Sequence, residues 1–404
     1  MIEPSELKRR FEAARPLLRT CGVTGTNGKT TTTSMLAACV AAAGHPSALL
    51  TTVGAWVGGE RVHGGTAAEE FLATVERAVT LEAPILALET TSKALAAGLA
   101  TRWPPHVAVF TNLTRDHLDQ HGSPEAYLAA KAQLFLALPP DGTAVLYRDD
   151  PSSALLDEVL APDVTRRWFG KGGDLEARRV EVGRTGTTIE LAGPRAAAFG
   201  TRLHLPIRGH VHALNALAAA LAAEALELPH DAIVRGLESF PGVRGRFELV
   251  AQRPFVVVDY AHTPDALDGT LRSAREIAEG GRVFVVFGCG GERDQGKRPM
   301  MGALAHALAD VVVLTSDNPR REDPAAIARA VREGAVGEGA RWLEEPDRRR
   351  AIALALEEAD PNDVVVVAGK GHETTQTIGT ETRELDDAAV VREVLGGQDR
   401  SDTR

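Results

Sequence analysis

The chain has 404 residues, with 45 basic against 55 acidic side chains, a formal net charge of −10 and 4% aromatic residues. That length holds two or three domains, each with its own core, and the acidic balance with so few stacking platforms excludes a nucleic-acid surface. Cys21, Cys39 and Cys289 stand too far apart for a metal pair or a disulfide framework, and neither a signal peptide nor a bilayer-long apolar run is present, so the expectation is a cytoplasmic protein with reduced thiols and no membrane contact.

Residues 1–18 read as a charged leader, a short helix or arm. Next comes Cys21-Gly22-Val23-Thr24-Gly25-Thr26-Asn27-Gly28-Lys29-Thr30-Thr31-Thr32, which opens onto the alanine-rich run 34–40. A glycine-rich turn feeding a helix presents N–H groups and a positive dipole end to an anion. Lys29 adds a mobile cation for the outer phosphates, and the Thr30 hydroxyl suits a phosphate-bound Mg²⁺. The strict G-x-x-x-x-G-K-[ST] spacing fails, because Val23 stands at its first position. Gly-Lys-Thr opening a helix still favours a phosphate loop over an incidental glycine-rich turn. Gly25, Thr26, Asn27, Gly28, Lys29, Thr30 and Thr31 are therefore expected to hold a nucleoside triphosphate.

Further along, 85–88 and 107–110 read as buried strands with polar residues at their C-terminal ends, where open α/β sheets place ligands. Helices are expected over 128–138 and 215–226, with a small antiparallel excursion over 177–205 between them. The pattern restarts near Phe240-Pro241-Gly242, after which 255–258, 283–287, 311–314 and 364–367 are short β-branched runs spaced by helix-length segments. Such runs indicate a parallel sheet covered on both faces. The fold class is α/β: a P-loop central domain with a parallel sheet (19–241), a C-terminal Rossmann-like domain (242–396) and a disordered polar tail (397–404).

Four clusters at strand ends carry chemistry. Glu89 directly after a strand suits metal coordination in a P-loop sheet, or is an exposed loop glutamate. The loop 112–121, with Asp116, His117, Asp119 and His121, either holds a metal or is a hydrogen-bonded loop. In Asp259-Tyr260-Ala261-His262-Thr263-Pro264, Thr263 and Pro264 form a helix start, while His262 faces a phosphate or satisfies its neighbours. The last group comprises the stretch holding Arg293 and Arg298, then Asp317, Asn318 and Arg320, then Gly369 and Glu373. Glycine-rich strand ends with both charge signs can bind a zwitterion, one lobe meeting an ammonium and another a carboxylate.

Thr-Gly-Thr-Asn-Gly-Lys-Thr-Thr-Thr, Thr-Asn-Leu-Thr-Arg-Asp-His-Leu-Asp, Asp-Tyr-Ala-His-Thr-Pro-Asp-Ala-Leu, Gly-Lys-Arg-Pro, Asp-Asn-Pro-Arg and Gly-Lys-Gly-His-Glu occur in the order seen in the Mur ligases. From Cys21 to Leu395 the chain resembles that family, most of all its MurE, tripeptide-synthetase branch. The resemblance implies an ATP-dependent ligase joining an amino-acid amine to an acceptor carboxylate through an acyl phosphate. It implies that Lys29 and Thr30 hold phosphates and Mg²⁺, that Glu89 binds a first metal and His117 a second, and that Lys131 is carbamylated. Read without it, Lys131 is a surface lysine on a helix. It also implies Asn215 as the adenine contact, Asp259 as the ribose contact and Arg246 near the γ-phosphate. Asn318, Arg320 and Glu373 would take the amino acid, with Asp-Asn-Pro-Arg resembling the diaminopimelate-adding form.

Departures fall on the acceptor side. The family carries about a hundred more residues before its ATP loop, in a domain that holds a uridine nucleotide. Lys93 replaces a histidine, Leu99 stands for an acceptor-contacting arginine, Thr66-Ala67-Ala68 replaces Thr-Thr-Pro, and His212 replaces an asparagine. The expectation is a Mur-type ligase with a non-standard acceptor, supplied free, by a carrier or by a partner. The rivals are a genuine tripeptide synthetase of peptidoglycan synthesis, a folylpolyglutamate- or cyanophycin-type ligase, a plain P-loop NTPase or kinase, and a silent binding protein.

Overall fold

The leader folds as helix α1 (Pro4–Ala14), and its Phe11 ring lies 5.1 Å from Phe71 and 5.9 Å from Trp103. The computed structural model describes residues 3–398. These divide into two units: 3–114 with 121–181 and 185–241, and 115–120 with 182–184 and 242–398.

The first unit is built on β1 (Arg19–Thr24), α2 (Lys29–Ala42), the strands β2 (Ala48–Thr51), β3 (Gly54–Val57) and β4 (Glu60–Val62), α3 (Ala67–Thr80), β5 (Ile85–Glu89), α4 (Ser92–Ala96), α5 (Leu99–Arg102) and β6 (Val107–Phe110). Beyond the short α6 (Leu118–His121), whose first three residues belong to the second unit, come α7 (Pro124–Leu136), β7 (Thr143–Tyr147), α8 (Ser152–Glu158) and β8 (Thr165–Phe169). Its eight-stranded sheet runs β4-β3-β2-β5-β1-β6-β7-β8. The six strands from β2 to β8 pair in parallel, and only the β2–β3–β4 edge is antiparallel. The expected antiparallel excursion is the three-stranded sheet β9 (Glu176–Gly183), β10 (Gly186–Ala192) and β11 (Arg202–Leu205). Two helices, α9 (His210–Ala225) and α10 (His230–Glu238), close the unit, each starting earlier or lying further on than apolar runs alone indicate.

Helix α9 is buried nearly all round, which is why its sequence reads as Ala and Leu with no amphipathic period. Helix α7 begins at Ser123, whose side chain caps Ala126 N–H, and Pro124 at the first helical position. That start lies four residues before the expected 128 and puts Lys131 on the buried face, 1% exposed. The surface-lysine reading of Lys131 is thus overturned: two flanking alanines left the buried face of this helix unmarked.

The second unit carries β12 (Glu248–Gln252), β13 (Phe255–Asp259), α11 (Pro264–Ala278), β14 (Val283–Phe287), α12 (Lys297–Leu308), β15 (Val311–Leu314), α13 (Pro324–Arg332), β16 (Arg341–Glu344), α14 (Arg348–Glu358) and β17 (Val364–Ala368). A hairpin of β18 (Thr375–Ile378) and β19 (Glu381–Glu384) precedes α15 (Asp387–Gln398). The sheet order is β12-β13-β17-β14-β15-β16, parallel except for β12. Val257, Val285 and Val366 enter one apolar cluster, and Val256, Val286 and Val365 the other. Strands buried on both faces need apolar residues at every position, so they appear in sequence as unbroken valine runs. Helix α15 continues past residue 396, so 397 and 398 lie inside it rather than in the expected tail, and 399–404 lie outside the described residues. No helix among the described residues is long and apolar enough to cross a membrane. All three cysteines are free and buried, and burial pushes the Cys39 and Cys289 thiols up to about 12.

Candidate active site

In the first unit the sheet register brings the loop's partners together. β1 lies between β5 and β6, with Val23 opposite Glu89 and Thr24 opposite Phe110. The phosphate loop leaves the C-terminal end of β1 and enters α2 at Gly28, a left-handed position (φ 84°). A side chain there would be strained and would run into Asn215 Oδ1. Asn215 also accepts from the Thr32 hydroxyl at 3.3 Å. The residue implied as an adenine contact therefore sits against the phosphate loop itself.

Residues 111–114, just beyond β6, clamp that loop. Asn112 accepts from the Asn27 N–H through Oδ1 (2.9 Å) and from the Thr26 N–H through its carbonyl (2.9 Å). The Thr111 hydroxyl donates to the Asn27 carbonyl (2.6 Å), and Thr114 N–H donates to the Thr26 hydroxyl (3.0 Å). Part of the polar stretch after β6 is thus scaffolding for the loop. Lys29 Nζ donates to the Thr26 carbonyl at 2.7 Å, folding the ammonium over the loop. Thr31 is buried in the first turn of α2.

Glu89 is 6% exposed, so it is no loop glutamate. Its carboxylate accepts from the Thr30 hydroxyl (3.0 Å), from Thr52 N–H (3.0 Å) and from the Thr52 hydroxyl (3.2 and 3.3 Å). Thr52 was missed from sequence, since only the β2–β5 pairing reveals it. A buried carboxylate joined to a hydroxyl is a hard-oxygen donor set, the kind Mg²⁺ takes when phosphates and water complete its shell. Lys131 Nζ donates to the Gly25 carbonyl (2.7 Å) and lies 4.1 Å from the centre of the Tyr127 ring. As an ammonium it is a donor, and only a carbamate at this atom would offer oxygens to a metal. Among the described residues no three His, Cys, Asp or Glu side chains cluster as a metal site.

On the acceptor side, the Thr66 hydroxyl caps α3 by accepting from Glu69 N–H (3.2 Å). Leu99 packs against the apolar cluster containing Phe71 and Trp103. His121 Nε2 lies 2.9 Å from the Ser92 hydroxyl. His212, at the start of α9, is 4% exposed with no partner for either ring nitrogen, and burial pushes its pKa down to about 4.

In the second unit, the Asp259 carboxylate accepts from Phe247 N–H (2.7 Å), Ala261 N–H (3.0 Å) and the Thr270 hydroxyl (2.9 Å). Arg246 lies over the Tyr260 ring, 4.2 Å from its centre. His262 Nδ1 donates to the Tyr260 carbonyl (2.7 Å), which turns Nε2 toward Asp116 at 3.4 Å. Asp116 also faces His117 Nε2 at 3.3 Å and accepts from the His117 N–H at 2.9 Å. Burial works to raise the Asp116 pKa, yet the His262 hydrogen bond and the charges of His262, His117 and Lys297 outweigh it and hold the group well below the usual carboxylate range. His117 stands at φ 54°, a strained backbone position for a non-glycine residue. Asp116 carries this cluster, though the loop's motif drew attention to its histidine.

The remaining second-unit candidates gather at the C-terminal ends of β14, β15 and β17. Asn318 Nδ2 donates to Glu373 Oε2 (2.9 Å), and the buried Lys370 ammonium lies 3.2 Å from the same oxygen. Arg320 Nη1 donates to the carbonyls of Gly291 (2.6 Å) and Asn318 (3.4 Å). Gly369 has φ 111°, and a Cβ on it would lie 2.6 Å from Asp317 Oδ2. Arg298 is buried and committed to Glu322 at 2.8 Å. Arg293 is exposed and lies 3.9 Å from Asp119.

A glycine-rich strand-to-helix loop with a buried carboxylate at the neighbouring strand end, together with a second α/β unit carrying groups of both charge signs at its strand ends, is the arrangement expected of an ATP-dependent acid–amine ligase. The family described as Mur ligase middle domain matches residues 23–223, and that described as Mur ligase, glutamate ligase domain, matches 245–371. A UDP-N-acetylmuramoyl-L-alanyl-D-glutamate–2,6-diaminopimelate ligase from Thermosynechococcus vestitus is 43% identical over 386 residues, covering 93% of this chain and 76% of its own. A solved structure of a protein with that activity in its description superposes with a TM-score of 0.67 at 32% identity, covering 99% of this chain and 84% of that one. Folylpolyglutamate synthase from Mycobacterium tuberculosis shares the fold alone, at 21% identity and a TM-score of 0.70, covering 96% of this chain and 95% of that one. The chain belongs to the Mur ligase family and is an ATP-dependent ligase that forms a C–N bond.

Proposed function

We propose that this chain joins the amine of a 2,6-diaminopimelate-like amino acid to an acceptor carboxylate. The γ-phosphoryl group of ATP passes to the carboxylate, giving an acyl phosphate and ADP. The amine attacks the acyl carbon, gives up a proton, and inorganic phosphate leaves. Lys29 faces the phosphates, with Thr30 and Glu89 as oxygen donors for Mg²⁺, which would offset phosphate charge when bound. His117 and a carbamylated Lys131 would supply further metal ligands. Asn215 is assigned to adenine, Asp259 to ribose, and Arg246 and His262 to the phosphates.

The observation that carries the choice of amine is the Asn318–Glu373–Lys370 cluster beside the anchored Arg320. An amino acid with a distal ammonium and carboxylate needs both signs close together. Arg320, held by one nitrogen, offers its other edge as a planar fork for a carboxylate. Asp317 packs against Gly369 at the end of β17, and Arg293 is an exposed cation on the loop after β14.

For the acceptor, the supporting observation is that Leu99 is used in an apolar cluster and Thr66 as a helix cap. Neither is suited to an anionic substrate, which favours a carboxylate recognised differently, free, carrier-attached or presented by a partner. A second reading is the standard UDP-linked dipeptide of peptidoglycan synthesis, favoured by the 43% identity to the relative named above. The test is product formation by the purified chain with ATP, Mg²⁺, diaminopimelate and UDP-N-acetylmuramoyl-dipeptide, read by mass spectrometry. Efficient turnover at micromolar acceptor establishes the second reading. ATP cleavage with diaminopimelate and other carboxylates, but not with this one, establishes the first. For the amine, Arg320→Ala should reduce the preference for diaminopimelate over alanine by about ten- to a hundredfold, the worth of a charge-assisted pair of roughly 1.5–3 kcal/mol. An unchanged ranking refutes that role.

A further inference from the structure

At the end of β17, just before the Gly369–Glu373 loop, lies a buried ion pair that no part of the proposed reaction uses. Arg348, at the start of α14, and Asp387, at the start of α15, are both 0% exposed in their side chains. The contact is bidentate, Nε to Oδ1 at 2.9 Å and Nη2 to Oδ2 at 2.7 Å. Arg348 Nη2 also donates to the carbonyl of Ala368 at 2.9 Å, while Nη1 is buried without a hydrogen-bond partner. Ala368 is the last residue of β17, and the next residue, Gly369, is the one against which Asp317 packs.

A wholly buried ion pair is a poor device for stability alone. Desolvating two charges costs several kcal/mol, and apolar replacements of similar size are often neutral or stabilising. The pair here does two things an apolar pair cannot. It pins the carbonyl at which the strand ends and the Gly369–Glu373 loop begins, and it holds a fixed positive charge whose field reaches Asp317 and Glu373. Burial works against the charge on Arg348, but Asp387 restores it, and Asp317 and Glu373 add to the effect, so its pKa stands above the ordinary arginine value.

We infer that Arg348, held by Asp387, is a positioning residue for the amine-binding end of the active site: it sets the register of the Gly369–Glu373 loop and keeps Asp317 and Glu373 in place for the ammonium group of the incoming amino acid. The inference rests on the proposed assignment of Asp317, Asn318 and Glu373 to the amino acid.

The test compares binding of two probes to the full chain by calorimetry: diaminopimelate in the presence of a non-hydrolysable ATP analogue and Mg²⁺, and the analogue alone. R348M/D387L removes both charges while keeping apolar bulk. It should melt within a few degrees of the parent, bind the analogue within twofold, and bind diaminopimelate at least tenfold more weakly. R348K keeps the charge but cannot hold Asp387 and Ala368 together, and should weaken diaminopimelate binding about threefold or more with the analogue unaffected. If the double variant fails to fold, R348K decides by the same comparison. Diaminopimelate affinity within twofold of the parent in the folded variant overturns the inference and leaves the pair purely structural. N318A separates the two levels: if it weakens diaminopimelate and R348M/D387L does not, the positioning role alone is wrong. If N318A leaves the affinity unchanged, the amino-acid assignment is wrong and the positioning role falls with it.

Discussion

Replacing Glu89 by glutamine tests the buried carboxylate with the least change of shape. The native group accepts hydrogen bonds from the Thr30 hydroxyl, the Thr52 N–H and the Thr52 hydroxyl, at 3.0 to 3.3 Å. Glutamine keeps one acceptor oxygen but turns an NH₂ toward groups that also donate, and it removes the charge. Hydrogen bonds to a charged group contribute about 1.5–3 kcal/mol each, so losing one such contact with a cation should raise the apparent dissociation constant for Mg²⁺ by about ten- to a hundredfold. Thr52→Val removes only the longest of the three contacts and leaves the backbone donor, so its effect should stay within about tenfold. The assay is ATP-dependent phosphate release over a Mg²⁺ titration, with thermal melts to establish that both variants fold. The expected order is E89Q far worse than T52V, with the loss partly recovered at high Mg²⁺. A folded E89Q whose Mg²⁺ dependence lies within twofold of the parent would falsify the metal role of this carboxylate.

Lys29→Ala should lower turnover on the order of a hundred- to a thousandfold, as loss of a charge-stabilising group does, with an unchanged melting curve; near-parental turnover excludes the phosphate-loop role. Lys131→Ala should be nearly inactive and partly rescued by short carboxylates such as formate, whereas an intact-mass spectrum showing an unmodified lysine in the active, ATP-bound protein would remove the carbamate. His212, whose pKa is depressed to about 4 by burial, must be neutral in the folded chain while the unfolded chain takes up a proton near 6.5. Its contribution to stability is therefore intact above that value and declines as pH falls toward 4, by roughly 3 kcal/mol in all. His212→Asn should flatten the fall in melting temperature between pH 7 and 4.5, and an identical pH slope in both proteins would show that another group is responsible.

The strands were legible where both faces are buried. Val107–Phe110 and the valine runs of the second unit carry no polar residue, so their extent reads directly from sequence. The edge strands Glu60–Val62, Arg341–Glu344 and Glu381–Glu384 were not, because charged residues exposed at an edge look like loop. The loop between β1 and α2 was legible as a glycine-rich strand-to-helix turn, because glycine acts there through local backbone geometry. Thr52 was not marked, because it works across the sheet on a residue far off in the chain, and Asn112 was marked only as part of a polar loop, without its partner Asn27. Arg348 shows the same limit: its partner Asp387 is set by topology, and nothing in the local pattern distinguishes it from a surface charge, while Asp116 was marked by its loop but its pairing with His262 was not.

The clamp of residues 111–114 on the phosphate loop has a thermodynamic consequence. Fixing one residue of backbone costs about 1–2 kcal/mol of conformational entropy. The bonds from Asn112, Thr111 and Thr114 hold Thr26 and Asn27 without any nucleotide, so that loss belongs to folding rather than to binding. On the proposed assignment ATP would meet a preorganised cradle, and the Thr26 and Asn27 amides should resist hydrogen exchange equally before and after it arrives. What the nucleotide alters is the side chains, chiefly the Lys29 ammonium that must leave the Thr26 carbonyl to meet a phosphate.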